Sequence, residues 1–268
     1  MKVRLLLLTA LSVITSCTKE LDFKYHDIPP LLVIEGALTQ EGPKVALTLT
    51  TPMDEPITDK KITDASVTLE NLTSGISAAL RPDKEGYFIG DMQATVGDEY
   101  RLKVERDGVL NEAVATMYGP SEILGLEFNW ISMPYDKVAV LQAKFSDNPG
   151  VRGECFWVKV YRNGKIYLWD EVDDRYSQDG VMTYTRMTTR KDIDEEDEES
   201  LILDGDVITV SVSRISREMH DYLEALQNDS SGPPMFSGER CLGYFMATSP
   251  VEASIVFRPD EIPEYISE

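Results

Sequence analysis

The chain has 268 residues and a formal net charge of −21, with 47 acidic and 26 basic side chains. Because contacts to nucleic-acid phosphates need lysine or arginine, so acidic a chain argues against nucleic-acid binding. Hydrophobic residues make up 42% of the chain, which is ordinary globular composition, and the mean hydropathy of −0.23 excludes a polytopic membrane protein.

The first residues resemble a bacterial lipoprotein signal. Lys2 and Arg4 precede an apolar stretch at 5–14, which at about ten residues is too short to cross a bilayer of ~30 Å as a helix. This stretch leads into the lipobox-like sequence ITSC, whose last residue is Cys17. We therefore expect a signal peptide at 1–16 and a Cys17 that carries acyl chains, palmitate among them, and anchors the mature protein. An ordinary secretory peptide that happens to contain a cysteine is the alternative.

A polar tether is expected at residues 17–30, between the anchor and the first strand. Its sequence TKELD resembles the lysine-plus-acidic stretch that follows the lipid cysteine in surface-exposed Bacteroidetes lipoproteins. This resemblance favours the outer membrane as the location, on either the cell surface or the periplasmic face. A tether without an export role fits the same residues.

Residues 31–118 have the pattern of a β-sandwich. Apolar and polar residues alternate, as at 45–49 and 100–104, and turn sequences rich in glycine, proline and aspartate separate the segments. The predicted strands are 31–38, 44–50, 66–72, 78–80, 87–90, 99–105 and 111–117. Their spacing resembles that of prealbumin-like and Ig-like sandwiches, which serve as binding modules or as structural spacers.

A second β-rich module is expected at 119–268. Asn163-Gly164 lies between two apolar runs, and this dipeptide is a strong indicator of a tight hairpin. The predicted strands are 124–130, 137–145, 156–161, 165–169, 182–188, 207–215, 243–248 and 254–257. The sequence therefore predicts a mainly β fold of two sandwich-like modules, the second with one helix.

That amphipathic helix is predicted at about 216–228. Ser216 can cap it, and its apolar face carries Met219, Tyr222, Leu223 and Leu226. His220 lies beside this face. The chain has only two histidines, and no second histidine or cysteine has ligand spacing, so a packed or surface histidine is favoured over a metal ligand. No cofactor or metal site is predicted.

Two cysteines remain besides Cys17. Cys155 and Cys241 lie 86 residues apart. In an oxidising compartment they could form a disulfide, which would contribute on the order of 4 kcal/mol. Two separate buried thiols are the favoured alternative. Neither cysteine has a histidine near it in sequence, so no thiol nucleophile is indicated.

The segment 170–206 is unusually acidic, with 14 acidic side chains against four basic ones. Its continuous run at 192–199 could bind calcium, which takes about six to eight oxygen ligands, although the order of an EF-hand loop is absent. A solvated loop held out by self-repulsion is the favoured alternative. Docking to a basic patch on a partner is the third interpretation.

Sequence motifs of catalysis are absent from the chain: there is no GxSxG, HExxH, Walker loop, GxGxxG or CxxC. The protein is therefore interpreted as non-enzymatic.

Several short motifs follow one another along the chain, namely the lipobox with the following KELD, then 32–39, 65–69, 97–100, 205–207 with the helix after it, and the late LGYF at 242–245. Their order resembles that of the domain of unknown function 4249 family of Bacteroidetes lipoproteins. The stretch 232–241 departs from the family pattern in detail. The resemblance covers nearly the whole mature chain, and it implies an outer-membrane lipoprotein, often encoded beside a TonB-dependent transporter, with no established site residue.

These observations lead to one expected function and one alternative. We expect a lipid-anchored accessory protein that binds a nutrient or partner at a TonB-dependent uptake complex in the outer membrane. The alternative is a structural or adhesin lipoprotein that uses its sandwich modules as spacers.

Overall fold

A computed structural model describes residues 29–52, 55–56, 60–134, 137–148, 150–190, 201–230 and 232–263. By its internal contacts, the chain from Leu31 to Glu268 forms one compact unit. The described residues contain fifteen strands and one α-helix, so the mainly β fold predicted from the sequence is confirmed. No helix in these ranges is both long and apolar enough to cross a membrane.

The strands follow the predicted segments closely. The first seven are β1 (Leu32–Thr39), β2 (Gly42–Leu49), β3 (Ser66–Asn71), β4 (Ile76–Pro82), β5 (Phe88–Ile89), β6 (Glu99–Arg106) and β7 (Val109–Thr116). The other eight are β8 (Ile123–Ser132), β9 (Lys137–Ser146), β10 (Cys155–Arg162), β11 (Lys165–Asp173), β12 (Val181–Arg190), β13 (Val207–Ile215), β14 (Leu242–Ala247) and β15 (Val251–Val256).

Eight strands form one sheet in the order β14-β1-β2-β5-β4-β3-β6-β7. Alternate side chains of these strands point to a shared interior, and its largest fully buried members include Tyr100, Phe88, Leu47 and Leu69. Most neighbours in the sheet are antiparallel hairpin partners, but β14 pairs with β1 in parallel. A strand from the end of the chain therefore completes the sheet that the first strands begin.

The remaining strands form a sandwich of two smaller sheets. One sheet has the order β12-β9-β8 and the other has the order β11-β10-β13-β15. Buried side chains of both sheets form a single hydrophobic cluster, in which Phe145 and Phe156 meet edge to face with ring centroids 5.0 Å apart. The hairpin predicted at Asn163-Gly164 joins β10 to β11, and both turn residues have positive φ, as a type I′ turn requires.

The predicted helix is α1 (Arg217–Gln227), and its predicted cap is confirmed, because the Ser216 hydroxyl accepts a hydrogen bond of 3.1 Å from the Met219 amide. The apolar face of α1 packs on β10 and β11 through a third cluster that includes Trp157, Met219 and Leu223. The helix therefore covers the outer face of the four-stranded sheet.

The division of the chain into modules at residue 118 stays a prediction. The first hydrophobic cluster is built mostly from β1 to β7, and the second from β8 to β13 together with the chain end. However, Phe245 and Ala247 of β14 belong to the first cluster, so the later part of the chain also contributes to the first core.

Candidate functional site

A cleft of about 900 Å³ opens beside the N-terminal half of α1. Three segments line it, namely 147–148 with 150–153 after β9, 173–180 from the last residue of β11 onward, and the helix from Arg217 to Glu224. These segments are distant in sequence, and the fold brings them together because β9 and β11 end, and α1 begins, at the same side of the sandwich. Most of the lining side chains are charged or polar.

The two loops of the cleft are tied to each other by backbone hydrogen bonds. The Asp147 amide donates to the Gly180 carbonyl at 2.8 Å, and the Asp174 amide donates to the Glu154 carbonyl at 3.1 Å. The Asp174 carboxylate also accepts a hydrogen bond of 2.7 Å from the Gly153 amide. The walls of the cleft are thus held by the main chain, which leaves several side chains available for a ligand.

One buried carboxylate joins the loop, the strand and the helix. Asp173 is 8% exposed and accepts hydrogen bonds from Arg175 Nε at 2.8 Å and from Arg217 Nη1 at 3.4 Å. Burial acts to raise the pKa of Asp173, but the hydrogen bonds from Arg175 and Arg217 and the charge of Arg175 outweigh it and hold the pKa below its usual range. Asp173 is therefore an anion, and its hydrogen bonds with the two arginines fix the base of the cleft.

A second buried group is the carboxyl pair of Asp147 and Glu154. Burial, followed by a hydrogen bond to Asp147, raises the pKa of Glu154, whereas hydrogen bonds lower the pKa of Asp147 against the effect of its burial. Glu154 also accepts hydrogen bonds from Asn148 and forms an ion pair of 3.2 Å with Arg214 Nε. The pair can share one proton, and its contacts fix the first loop of the cleft.

Charges of both signs face the open cleft. Arg152 and Asp179 are exposed, and neither makes a hydrogen bond or ion pair within the described ranges. Arg175 and Arg217 offer additional N–H groups at the cleft, because both are more than two-fifths exposed at the side chain. Such an arrangement can bind a ligand that itself carries charged or strongly polar groups.

His220 forms part of the cleft wall. It is 6% exposed, so of the packed and surface positions expected for it the packed one is observed, and its Nδ1 lies 3.4 Å from Oδ1 of Asp221. The structure adds a feature that the sequence did not indicate. His220, Asp221 and Glu224 each bring one ligand-capable atom to within 4.8 Å of the other two.

The site residues predicted from the sequence are three cysteines, and neither Cys155 nor Cys241 lines the cleft. Cys17 lies outside the described residues. Cys155 and Cys241 are free thiols that pack against different hydrophobic clusters, so the disulfide considered from the sequence does not form here. Burial raises the pKa of Cys155 to about 12 and also raises that of Cys241, which makes both poor nucleophiles.

The acidic segment at 170–206 is only partly described, and its run at 192–199 lies outside the described residues. Several of the acids around the run have structural partners. Asp170 accepts hydrogen bonds from Tyr184 and Arg186, and Asp206 accepts one of 2.6 Å from Arg162. Calcium binding by the continuous run stays a prediction.

Comparison with protein-family models gives one assignment. A model described as Domain of unknown function (DUF4249) matches residues 18–252. The match covers most of the chain, which therefore belongs to this family, as the order of its motifs predicts. Comparison with curated protein sequences gives no match.

Proposed function

We propose that this member of the DUF4249 family is a lipid-anchored accessory protein of the outer membrane, without enzymatic activity, that binds a nutrient or partner at a TonB-dependent uptake complex. The charged cleft beside α1 is its binding surface. The lipobox-like sequence at Cys17 supports the anchor, and the resemblance to Bacteroidetes lipoproteins supports the location and the kind of complex.

The observation that carries this proposal is the set of unpaired charges in the cleft. Arg152 and Asp179 are exposed side chains that no group in the described residues neutralises, and they stand on loops held by hydrogen bonds to each other. A preorganised surface of this kind loses little conformational entropy when a ligand binds. Such a surface is therefore more typical of a binding protein than of a purely structural spacer.

The dimensions of the cleft favour a segment of a partner protein. Pockets for small molecules usually have volumes of roughly 300–1,000 Å³ and mostly apolar walls. This cleft, at about 900 Å³, is near the upper limit and is lined mainly by charged and polar residues. A charged loop or short peptide of a transporter, or a peptide-like nutrient, provides complementary groups.

Co-purification from the native membrane tests this proposal. The tagged full chain is extracted from outer membranes in mild detergent at low ionic strength, because salt screens contacts between charged surfaces. We expect a β-barrel transporter to be recovered with it, and less transporter as the salt concentration rises. Recovery of the lipoprotein alone at low salt would contradict the proposal.

A matched pair of charge reversals tests whether the transporter contacts the cleft. Arg152→Glu is expected to reduce the recovered transporter at least tenfold. The control is Arg81→Glu, which makes the same change on β4, where Arg81 is also exposed and has no partner in the described residues. If the two variants behave alike, the cleft is not the binding surface.

A further inference from the structure

We propose that His220 and Glu224, with Asp221 beside them, bind a zinc ion at the wall of the cleft. Glu171, on β11 beneath the helix, lies outside the group of three helical ligand atoms and would be the fourth ligand. This inference goes beyond the proposed function and does not depend on it, because it concerns metal binding by the chain alone.

The spacing of the three helical residues gives the first part of the argument. His220 and Glu224 are four residues apart, so their side chains lie on the same face of α1. The ligand-capable atoms of His220, Asp221 and Glu224 all lie within 4.8 Å of one another. Nitrogen and oxygen ligands about 2.0–2.2 Å from a tetrahedral zinc are roughly 3.4 Å apart, so small side-chain rotations close the set. Asp221 and Glu224 are exposed and free to make those rotations.

The position of Glu171 follows from its neighbours on β11. Asp173 meets Arg217 near the start of α1, and the Trp169 carbonyl accepts a hydrogen bond of 3.3 Å from Gln227 at the end of α1. Glu171 lies between these two strand residues, with its side chain on the same face of the strand as theirs. It is therefore placed beneath the middle of the helix, where His220 and Glu224 are.

Glu171 supplies the second, independent observation. Its Oε2 atom is buried and has no hydrogen-bond partner within the part of the chain that the structure describes. A buried carboxylate oxygen without a partner is costly, and such atoms in folded proteins usually have a donor, a water or an ion. The His220 side chain is itself only 8% exposed, and it reaches the cleft wall. A cation at this position would provide the partner that Glu171 lacks.

The mixture of ligand atoms favours zinc among the common divalent ions. Calcium and magnesium prefer sites made of oxygen ligands alone, whereas an imidazole nitrogen with two or three carboxylates suits zinc.

Direct metal binding tests the inference. The full chain in detergent is stripped with a chelator, and Zn²⁺ binding is measured by titration calorimetry and by metal analysis after dialysis. We expect one high-affinity Zn²⁺ per chain. Glu224→Gln and His220→Gln should each weaken binding at least tenfold, and Glu171→Gln should weaken it by a similar factor.

Two controls separate this site from other acidic or histidine side chains. Glu218→Gln makes the same change as Glu224→Gln on the same helix, but Glu218 does not line the cleft. His26→Gln removes the other histidine. Both controls should bind Zn²⁺ like the parent protein. Because Glu224 is exposed, its variant is expected to fold normally, which circular dichroism will verify.

Two results would overturn the inference, and a third would overturn the choice of metal. Zn²⁺ binding that is absent from the parent protein, or that is unchanged in both Glu224→Gln and His220→Gln, would overturn the inference. Tight Ca²⁺ binding that depends on Glu224, without Zn²⁺ binding, would overturn the choice of metal.

Discussion

The Nη1 atom of Arg217, in the first turn of α1, lies 3.4 Å from Oδ2 of Asp173 at the end of β11. The same carboxylate accepts a hydrogen bond of 2.8 Å from Arg175 in the turn that follows the strand. One buried anion therefore fixes the helix, the strand end and the second loop of the cleft relative to each other. This relationship holds the unpaired charges of the cleft in place.

Replacing Asp173 with asparagine tests its organising role. The variant keeps the size of the side chain but removes the charge that two arginines face, so we expect unfolding free energy to fall by about 1–3 kcal/mol. Chemical denaturation measures this change. Asp91→Asn is the matched control, because Asp91 is exposed and has no partner in the described ranges, and it should change stability by less than about 0.5 kcal/mol.

The contribution of Asp173 should also depend on pH with a definite sign. Its pKa is lowered in the folded protein, so the folded state binds fewer protons than the unfolded state near the unfolded pKa of about 3.9. The stabilisation is therefore present above that pH and is lost as the pH falls through the folded pKa. The difference in stability between the parent protein and Asp173→Asn should shrink below about pH 4, and a difference that grows would contradict this assignment.

Lys159 gives a second pH dependence of the same sign, but in the alkaline range. Burial lowers its pKa to about 8, although Glu252 and Glu35 oppose the shift, and its Nζ lies 3.6 Å from the centroid of the Trp157 ring. The unfolded state, with a lysine pKa of about 10.4, binds more protons between these values, so stability rises with pH in that range. From pH 7 to 9.5 the parent protein should gain about 2 kcal/mol relative to Lys159→Met. Equal pH profiles for the two proteins would show that Lys159 is not desolvated.

Gly243 is the position at which an added side chain would most disturb the parallel pairing of β14 with β1. It has φ of +105°, and a Cβ atom there would lie 1.9 Å from the Ile34 carbonyl oxygen. Gly243→Ala should therefore cost at least about 3 kcal/mol, because the strand cannot keep its register. Gly75→Ala is the control, since Gly75 also has positive φ but no atom lies within 4 Å of its Cβ position. That control should cost only about 1–2 kcal/mol, and similar losses for both variants would contradict the steric explanation.

Local features of the sequence predicted the strands, the tight hairpin and the helix, because alternation, turn residues and caps act over a few neighbouring residues. The cleft could not be predicted in the same way. Arg152, Asp173 and Arg217 are ordinary charged residues in sequence, and they line one cleft only because two loops and the start of a helix that are distant in sequence converge. The parallel pairing of β14 with β1 could not be predicted either, because the two strands lie far apart in sequence.

The lipid anchor is tested by Cys17→Ala. The thiol of this residue is the acylation site in our interpretation, so its loss should abolish palmitate labelling and release the protein from the membrane fraction. Cys241→Ala is the matched control, because this cysteine lies within the folded unit and should leave labelling unchanged. Persistent labelling of Cys17→Ala would show that the anchor is elsewhere.

The most direct test of the proposed binding surface is site-specific photo-crosslinking in living cells. A photoreactive amino acid is placed at Asp179, on the rim of the cleft, and for comparison at Ile76, which is 63% exposed on β4 and does not line the cleft. We expect Asp179 to give a crosslink to an outer-membrane β-barrel transporter and Ile76 to give none. Crosslinks to the transporter from Ile76 but not from Asp179 would contradict the central claim, as would the absence of any crosslink from the cleft.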